Sequence, residues 1–233
     1  MTNISTEALL TLEKTAVATV STVLRQKGFA RVSLRGPRAL VEGQKRIAGP
    51  AYTMRFVPAR EDITTTMAVA GPTSPRTVME KIPAGAVVVV DAMGLRSAGV
   101  FGDIICARMQ TRGIAGLVTD GAIRDLVGMK KLNWPIWADG TTAPPSPSEF
   151  FCADTQVAVA CGGVTIFPGD IVVADDDGAV VVPAAIAEAV AVEAFEKDRF
   201  EEWVYDQVKA GALLDGLYPP NDATKERYAK ERR

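Results

Sequence analysis

The chain of 233 residues contains no histidine. That absence removes the Ser-His and Cys-His nucleophile machines and every His-ligated metal site. Acid–base work must fall to carboxylates, Lys, Tyr, Cys or bound water. Any metal must be held by oxygen, which favours Mg²⁺ or Mn²⁺. Cysteine is scarce too: Cys106, Cys152 and Cys161 form an odd, widely spaced set. They suggest neither a disulfide framework nor a zinc site, and they fit a reducing cytoplasm. No apolar run approaches the length of a membrane span. Met1 to Glu13 has no basic stretch followed by an apolar core, so it reads as mature protein and not as a signal peptide. Neither sign of charge dominates. The formal net charge of −2 gives no global field to recruit nucleic acid or an anionic membrane.

What is present suits a folded domain. Apolar residues make up 48% of the chain and charged residues 23%, enough for a sizeable core under a solvated surface. Leu9, Leu10, Ala16, Val17, Val20, Val23 and Leu24 form an apolar stripe, interrupted at Glu13, that predicts one helix from about Ser5 to Gln26, with Gly28 as its stop. Arg31 to Pro50 is basic and rich in turn residues. Without interleaved aromatics it reads as a solvated face and not as a polyanion site.

Strands are expected at Ala51–Val57, Ala86–Asp91, Gly116–Thr119 and Pro135–Ala138, with helices at Phe101–Arg112 and Leu126–Leu132 between them. Arg60 to Arg76 reads as a loop-rich connection. Four further strands are expected at Gln156–Ala160, Val164–Phe167, Ile171–Ala174 and Ala179–Val182. A long helix runs from Ala184 to about Ala210. The expected organisation is one α/β domain, a compact sandwich or barrel with flanking helices, over residues 1–216, followed by a charged tail at 217–233.

The chemistry concentrates between Asp91 and Ala143. A strand ends at Asp91 and a helix opens near Gly102, so free amides at that helix start form an anion site. Gly94, Gly99 and Gly102 alone would mean only turns, and their spacing is not the dinucleotide fingerprint. Arg124-Asp125 follows the next buried strand, where α/β folds place their ligands. The arginine can grip a carboxylate with two parallel hydrogen bonds, and the aspartate can bind a hard cation. The bland alternative is a surface arginine beside a helix-capping aspartate. Asp103 can satisfy helix amides or hold a water near a metal on Asp125.

The segment FGDIICARMQTRGIAGLVTDGAIRD, with twenty residues between Asp103 and Arg124, resembles the 4-hydroxy-4-methyl-2-oxoglutarate aldolases, which belong with the regulator of ribonuclease activity A (RraA)-like proteins. GPAYTMRF, VVVVDAMG, WPIWADGTTAPP and GDIVVADDDGAVVVP extend the match over Gly49 to Pro183. The resemblance implies an RraA-like fold and a divalent-metal, class II aldolase that releases pyruvate from a 4-hydroxy-2-oxo acid, with oxaloacetate decarboxylase activity beside it.

By the same resemblance, Asp125 is the metal ligand, mainly through waters, for Mg²⁺ or Mn²⁺. Arg124 clamps the small-molecule 2-oxo acid, the backbone of Gly102, Asp103, Ile104 and Ile105 binds the same carboxylate, and Asp103 holds water for proton transfer. It further implies a homotrimer or homohexamer with sites at subunit boundaries, each completed by a glutamate from the neighbour's C-terminal helix. Glu201 is the nearest candidate, with Glu196 and Glu202 competing. Where the family carries Gly-Gly after the strand, this chain has Met93-Gly94. The loop from Pro72 to Pro75 bears on the distal half of the substrate. The rival functions are a non-catalytic regulator that inhibits ribonuclease complexes, and a decarboxylase or hydro-lyase for a sugar-derived 2-oxo acid.

Overall fold

The strand β2, Ile47–Pro58, is the spine of an eight-stranded sheet. Its first residues pair antiparallel with β9 (Ile171–Asp175), its middle parallel with β3 (Val87–Asp91), and its end antiparallel with β6 (Phe150–Thr155). A register shift between Arg55 and Phe56 lets the strand bend from one partner to the next. Beyond β3 the sheet continues in parallel through β4 (Gly116–Thr119) and β5 (Ile136–Ala138). Beyond β9 it continues through β10 (Gly178–Val182), an antiparallel hairpin partner. The basic segment draws the two edges together. Leu34 N–H donates to Ala179 O and Val181 N–H to Val32 O, and then β1 (Arg38–Ala39) pairs with β5. Trp137 Nε1 on β5 donates to Asp175 O on β9 at 2.7 Å. The result is a nearly closed, barrel-like sheet, with a small hairpin of β7 (Val159–Cys161) and β8 (Val164–Ile166) beside it. Residues 4–64 and 70–232 of the computed structural model are described; parts of the expectations for Met1–Glu13 and for the Arg60–Arg76 connection lie outside them.

Alternation along the strands decides which face each side chain serves. Val87 and Val89 point into the barrel with Trp137, Val118, Val172 and Val181. Val88 and Val90 point outward with Met54, Phe56 and Leu117, against Cys106 and Met109 of α4 (Asp103–Thr111) and Met129 of α5 (Leu126–Leu132). Both faces of β3 are covered, which explains its unbroken run of valines. A short helix, α3 (Pro75–Val78), closes the same outer layer.

The N-terminal segment is a correction to the sequence reading. Two helices form, α1 (Thr6–Lys14) and α2 (Val17–Gln26), where one was expected. The amides at the break have distant acceptors: Ala16 N–H donates to Asp198 Oδ2 at 3.3 Å and Val17 N–H to Asp175 Oδ2 at 3.0 Å. Both helices pack with α6 (Ala187–Lys209) on the outer face of β9 and β10. A second correction concerns Phe150–Thr155, which forms β6, while the expected strand at Gln156–Ala160 shrinks to Val159–Cys161. Gln156 has φ 58° and cannot continue an extended chain. The segment read as a charged tail contains a helix, α7 (Asp222–Glu231), folded back on α6. Tyr228 stacks near Phe200 and Trp203, and Trp203 Nε1 donates to Glu231 Oε2 at 2.8 Å. No helix among the described residues is long and apolar enough to cross a membrane.

Candidate functional site

Three loops following β3, β4 and β5 are laced together by main-chain hydrogen bonds. Gly99 N–H donates to Pro144 O, Val100 N–H to Ala122 O, Ile123 N–H to Gly140 O, and Arg124 N–H to Phe101 O. This lacing holds irregular backbone rigidly at the strand ends, where α/β folds bind ligands. It forms a cavity of about 420 Å³ lined by Gly99–Ile105, Arg124 and Asp125, with a second wall from Pro75, Arg76 and Pro145–Pro147. Gly102, Asp103, Ile104, Ile105, Arg124 and Asp125 thus meet around one space.

Each group there is prepared for a ligand in a different way. Gly102 caps α4 without a side chain, and the first helical hydrogen bond runs from Cys106 N–H to Gly102 O. The amides of Asp103, Ile104 and Ile105 precede it and carry the positive end of the helix dipole. Arg124 Nε is buried and makes no hydrogen bond, although Asp125 Oδ2 lies 3.2 Å away. The two are within ion-pair distance but out of line for a hydrogen bond.

Asp125 has φ 60° and ψ 44°, a left-handed conformation that costs a non-glycine residue free energy. It stands at the N-cap of α5, yet its side chain caps nothing. An N-cap needs extended backbone for its carboxylate to reach back to the first amides, and Asp125 is not extended. The bland reading of Asp125 as a helix cap therefore fails on geometry. Its carboxylate lies so close to Gly102 that a Cβ there would sit 2.4 Å from Oδ2. Asp103 aims toward α5, where a Cβ on Gly128 would sit 2.1 Å from its Oδ2. These two glycines make room for the two carboxylates.

The donor set suits a hydrated hard cation. Among the described residues no group of three or more acidic, histidine or cysteine side chains converges. Mg²⁺ is commonly held by one or two carboxylates with waters completing its shell, and Asp125, with Asp103 in the same cavity, is a set of that kind. The cysteines are free and buried, and burial pushes the Cys152 thiol up to about 12 and raises Cys106 and Cys161 as well. None is a ready nucleophile.

Glu201 is not at this cavity within its own chain. It pairs with Lys197 at 2.7 Å, and Thr19 Oγ1 lies 3.4 Å from it. Glu196 pairs with Arg232, and Glu202 faces the groove between α6 and α7. Sequence reasoning missed Arg76 and Ser146 in the cavity wall, because they sit on connections whose only local signal was proline. It also missed the role of Asp91 and Asp120. Asp120 accepts the amides of Ala92 and Gly162, and Asp91 those of Met93 and Ala160, so both tie β7 to the ends of the parallel strands. Met93, standing where glycine was expected, adopts φ 57°.

Comparison with known proteins follows the same lines. The sequence profile of the RraA-like family, described as Aldolase/RraA, matches residues 17–181. A Halalkalibacterium halodurans protein, named provisionally as a 4-hydroxy-4-methyl-2-oxoglutarate aldolase, is 42% identical over 118 residues, which is 51% of this chain and 56% of that protein. The match thus spans little more than half the length of that curated relative. Streptomyces coelicolor RraAS2, described as an unusual member of the RNase ES inhibitor RraA family, is 39% identical, with TM-score 0.77 over 86% of this chain and 96% of that one. An uncharacterised Pseudomonas syringae protein is 27% identical, with TM-score 0.82 over 94% of this chain and 100% of that one. With the profile covering most of its length and the same mixed α/β architecture in its solved neighbours, this chain belongs to the RraA-like family.

Proposed function

We propose that the chain is a divalent-metal-dependent lyase that cleaves a 4-hydroxy-2-oxo acid to pyruvate. The observation that carries this reading is one cavity uniting Arg124, the open amides of α4 and the strained, non-capping Asp125. Arg124 and the α4 amides grip the substrate carboxylate and orient the adjacent 2-oxo group. Asp103 holds the water that takes the proton from the C4 hydroxyl. As the C3–C4 bond breaks, its electron pair moves toward the 2-oxo oxygen, leaving the enolate of pyruvate, which is then protonated at C3. The helix dipole faces the charge that develops. Mg²⁺ or Mn²⁺, held by Asp125 largely through water, supplies Lewis acidity when bound. Among the described residues no lysine lines the cavity, which weighs against a Schiff-base route. Loss of CO₂ from oxaloacetate needs the same charge stabilisation and is expected as a second activity.

The test is pyruvate release from 4-hydroxy-2-oxo acids and oxaloacetate, with Mg²⁺, with Mn²⁺ and after EDTA. Both metals should support turnover and EDTA should abolish it. Arg124→Ala and Arg124→Lys should each lose on the order of 10²–10³ in kcat/KM, since lysine keeps the charge but not the planar fork. The similarity to Streptomyces RraAS2 supports a second reading, a ribonuclease regulator without catalysis. Absence of release from every substrate under both metals would favour it.

We also propose a homotrimer or homohexamer in which a neighbour's helix α6 completes each site. Ile104 is 82% and Val127 72% exposed on the first turns of α4 and α5, an apolar rim suited to a protein neighbour. Light scattering at micromolar concentration should find no monomer, and a monomer would remove the role of Glu201.

A further inference from the structure

Two exposed surfaces of the chain complement each other and do not meet within it. The first is the rim of the cavity, where Ile104 and Val127 stand on the first turns of α4 and α5. Lys130 and Lys131 follow Val127 at three and four residues, on the same face of α5. Both lysines are exposed, and among the described residues neither has an ion-pair partner. The second surface is the end of α6 and the turn after it. Leu213 is 82% exposed, Tyr205, Leu214 and Tyr218 are each more than half exposed, and Val208 adds to them. Main-chain hydrogen bonds gather these residues into a knuckle. Ala212 N–H donates to Gln207 O, and the Leu217 and Tyr218 amides both donate to Leu214 O. Proteins that stay monomeric rarely expose a large apolar patch. Glu202 and Asp206 share the helix face of Tyr205, are exposed, and have no ion-pair partner among the described residues. Arg199 and Arg232 line the same groove, but they are engaged by Phe195 and Glu196. Glu201, on the same helix, is held by Lys197 of its own chain.

One surface thus sets apolar side chains beside two free cations, and the other sets apolar side chains beside two free anions. In the order of the sheet α5 lies on the β3 and β4 side of β2, and α6 on the β9 and β10 side. A contact between the two surfaces therefore joins separate copies head to tail. We propose that a second copy of this chain closes the mouth of the cavity: its 205–218 knuckle covers Ile104 and Val127, and its Glu202 and Asp206 face Lys130 and Lys131. This rests on the homo-oligomer read above and not on the reaction. A head-to-tail contact repeats from copy to copy and makes a ring where the rotation closes. It also removes water from the mouth, so that Arg124 and the α4 amides act on an anion in a medium of lower dielectric.

The test is sedimentation velocity of single and charge-reversed variants, with thermal melts as the check on folding. The wild-type chain should sediment as an oligomer at micromolar concentration. Val127→Asp and Leu213→Asp replace exposed side chains, so each variant should melt as wild type does. Each should nevertheless weaken association roughly thirtyfold or more, the size of a hot-spot loss. Lys130→Glu with Lys131→Glu sets like charges across the contact and should weaken it as well. Adding Glu202→Lys and Asp206→Lys to that chain reverses both sides and should restore association. Lys81→Glu reverses an exposed charge on neither surface and should change nothing.

An oligomer that withstands Val127→Asp and Leu213→Asp overturns the proposal and leaves the homo-oligomer standing. So does a combined reversal that associates no better than the lysine pair alone, because the four charges then do not face one another. A monomeric wild type removes the homo-oligomer itself, and the proposal falls with it.

Discussion

At Asp125 the backbone and the side chain make opposite demands. A left-handed, non-glycine residue costs on the order of 1–3 kcal/mol, and its carboxylate returns none of that by capping α5. Glycine adopts this conformation freely, and asparagine tolerates it better than most residues. Asp125→Gly is therefore expected to melt no lower than wild type, and Asp125→Asn close to it, while both lose the response of activity to Mg²⁺. Scanning calorimetry together with a Mg²⁺ titration of turnover checks this. A glycine variant that melts well below wild type would mean that the carboxylate is structural.

The pairing of α4 with α5 decides where the Asp103 carboxylate points. Gly128 is the third residue of α5, where alanine would gain up to about 1 kcal/mol of helix propensity. A Cβ at that position would sit 2.8 Å from Asp103 Cβ and closer still to its carboxylate. Gly128→Ala must push the two helix starts apart and turn Asp103 away. If Asp103 holds the water that accepts the hydroxyl proton, kcat falls by on the order of 10², while the melting temperature falls only modestly, by the overpacking less the propensity gained. Steady-state kinetics and thermal melts separate the two effects, and an alanine variant with full kcat would exclude Asp103 from proton transfer.

Across the whole molecule, buried Asp120 ties the barrel together, and its titration should be visible in stability. Burial is the largest influence on its carboxyl and raises it above the ordinary 3.8, while the amides of Ala92 and Gly162 pull the other way and Asp91 adds to the rise. A carboxyl raised by folding contributes stability that is fully present below its unfolded value. That contribution is lost as pH climbs through the folded one. Glu80 and Glu231 behave oppositely, because hydrogen bonds from Arg108 and Arg227 lower them. Their contribution is lost as pH falls. The gap in melting temperature between wild type and Asp120→Asn should accordingly be widest near pH ~4 and narrow as pH rises. Melts from acid to neutral pH check this, and a gap that widens with pH would show the carboxylate to be stabilised by its amides more than burial opposes it.

Local pattern determined much of this protein. The valines of β3, the strand Gly116–Thr119 and the helix Leu126–Leu132 lie where the sequence predicts them, because apolar periodicity and turn residues act over a few positions. The spacing from Gly102 to Asp125 also pointed to residues that now share a cavity. What tertiary structure decided depends on partners far along the chain. The break between α1 and α2 exists because Asp175 and Asp198 supply acceptors there. Phe150–Thr155 becomes a strand because the bent end of β2 offers an edge. Whether Asp125 caps a helix or serves a ligand turns on one left-handed torsion, which Arg-Asp as a dipeptide does not encode. Arg76 enters the site only because the chain before β3 folds beside the loops that follow β3, β4 and β5. A hydrogen-bond partner or a cavity wall has no period, so neither leaves a trace in sequence until the strands are assembled.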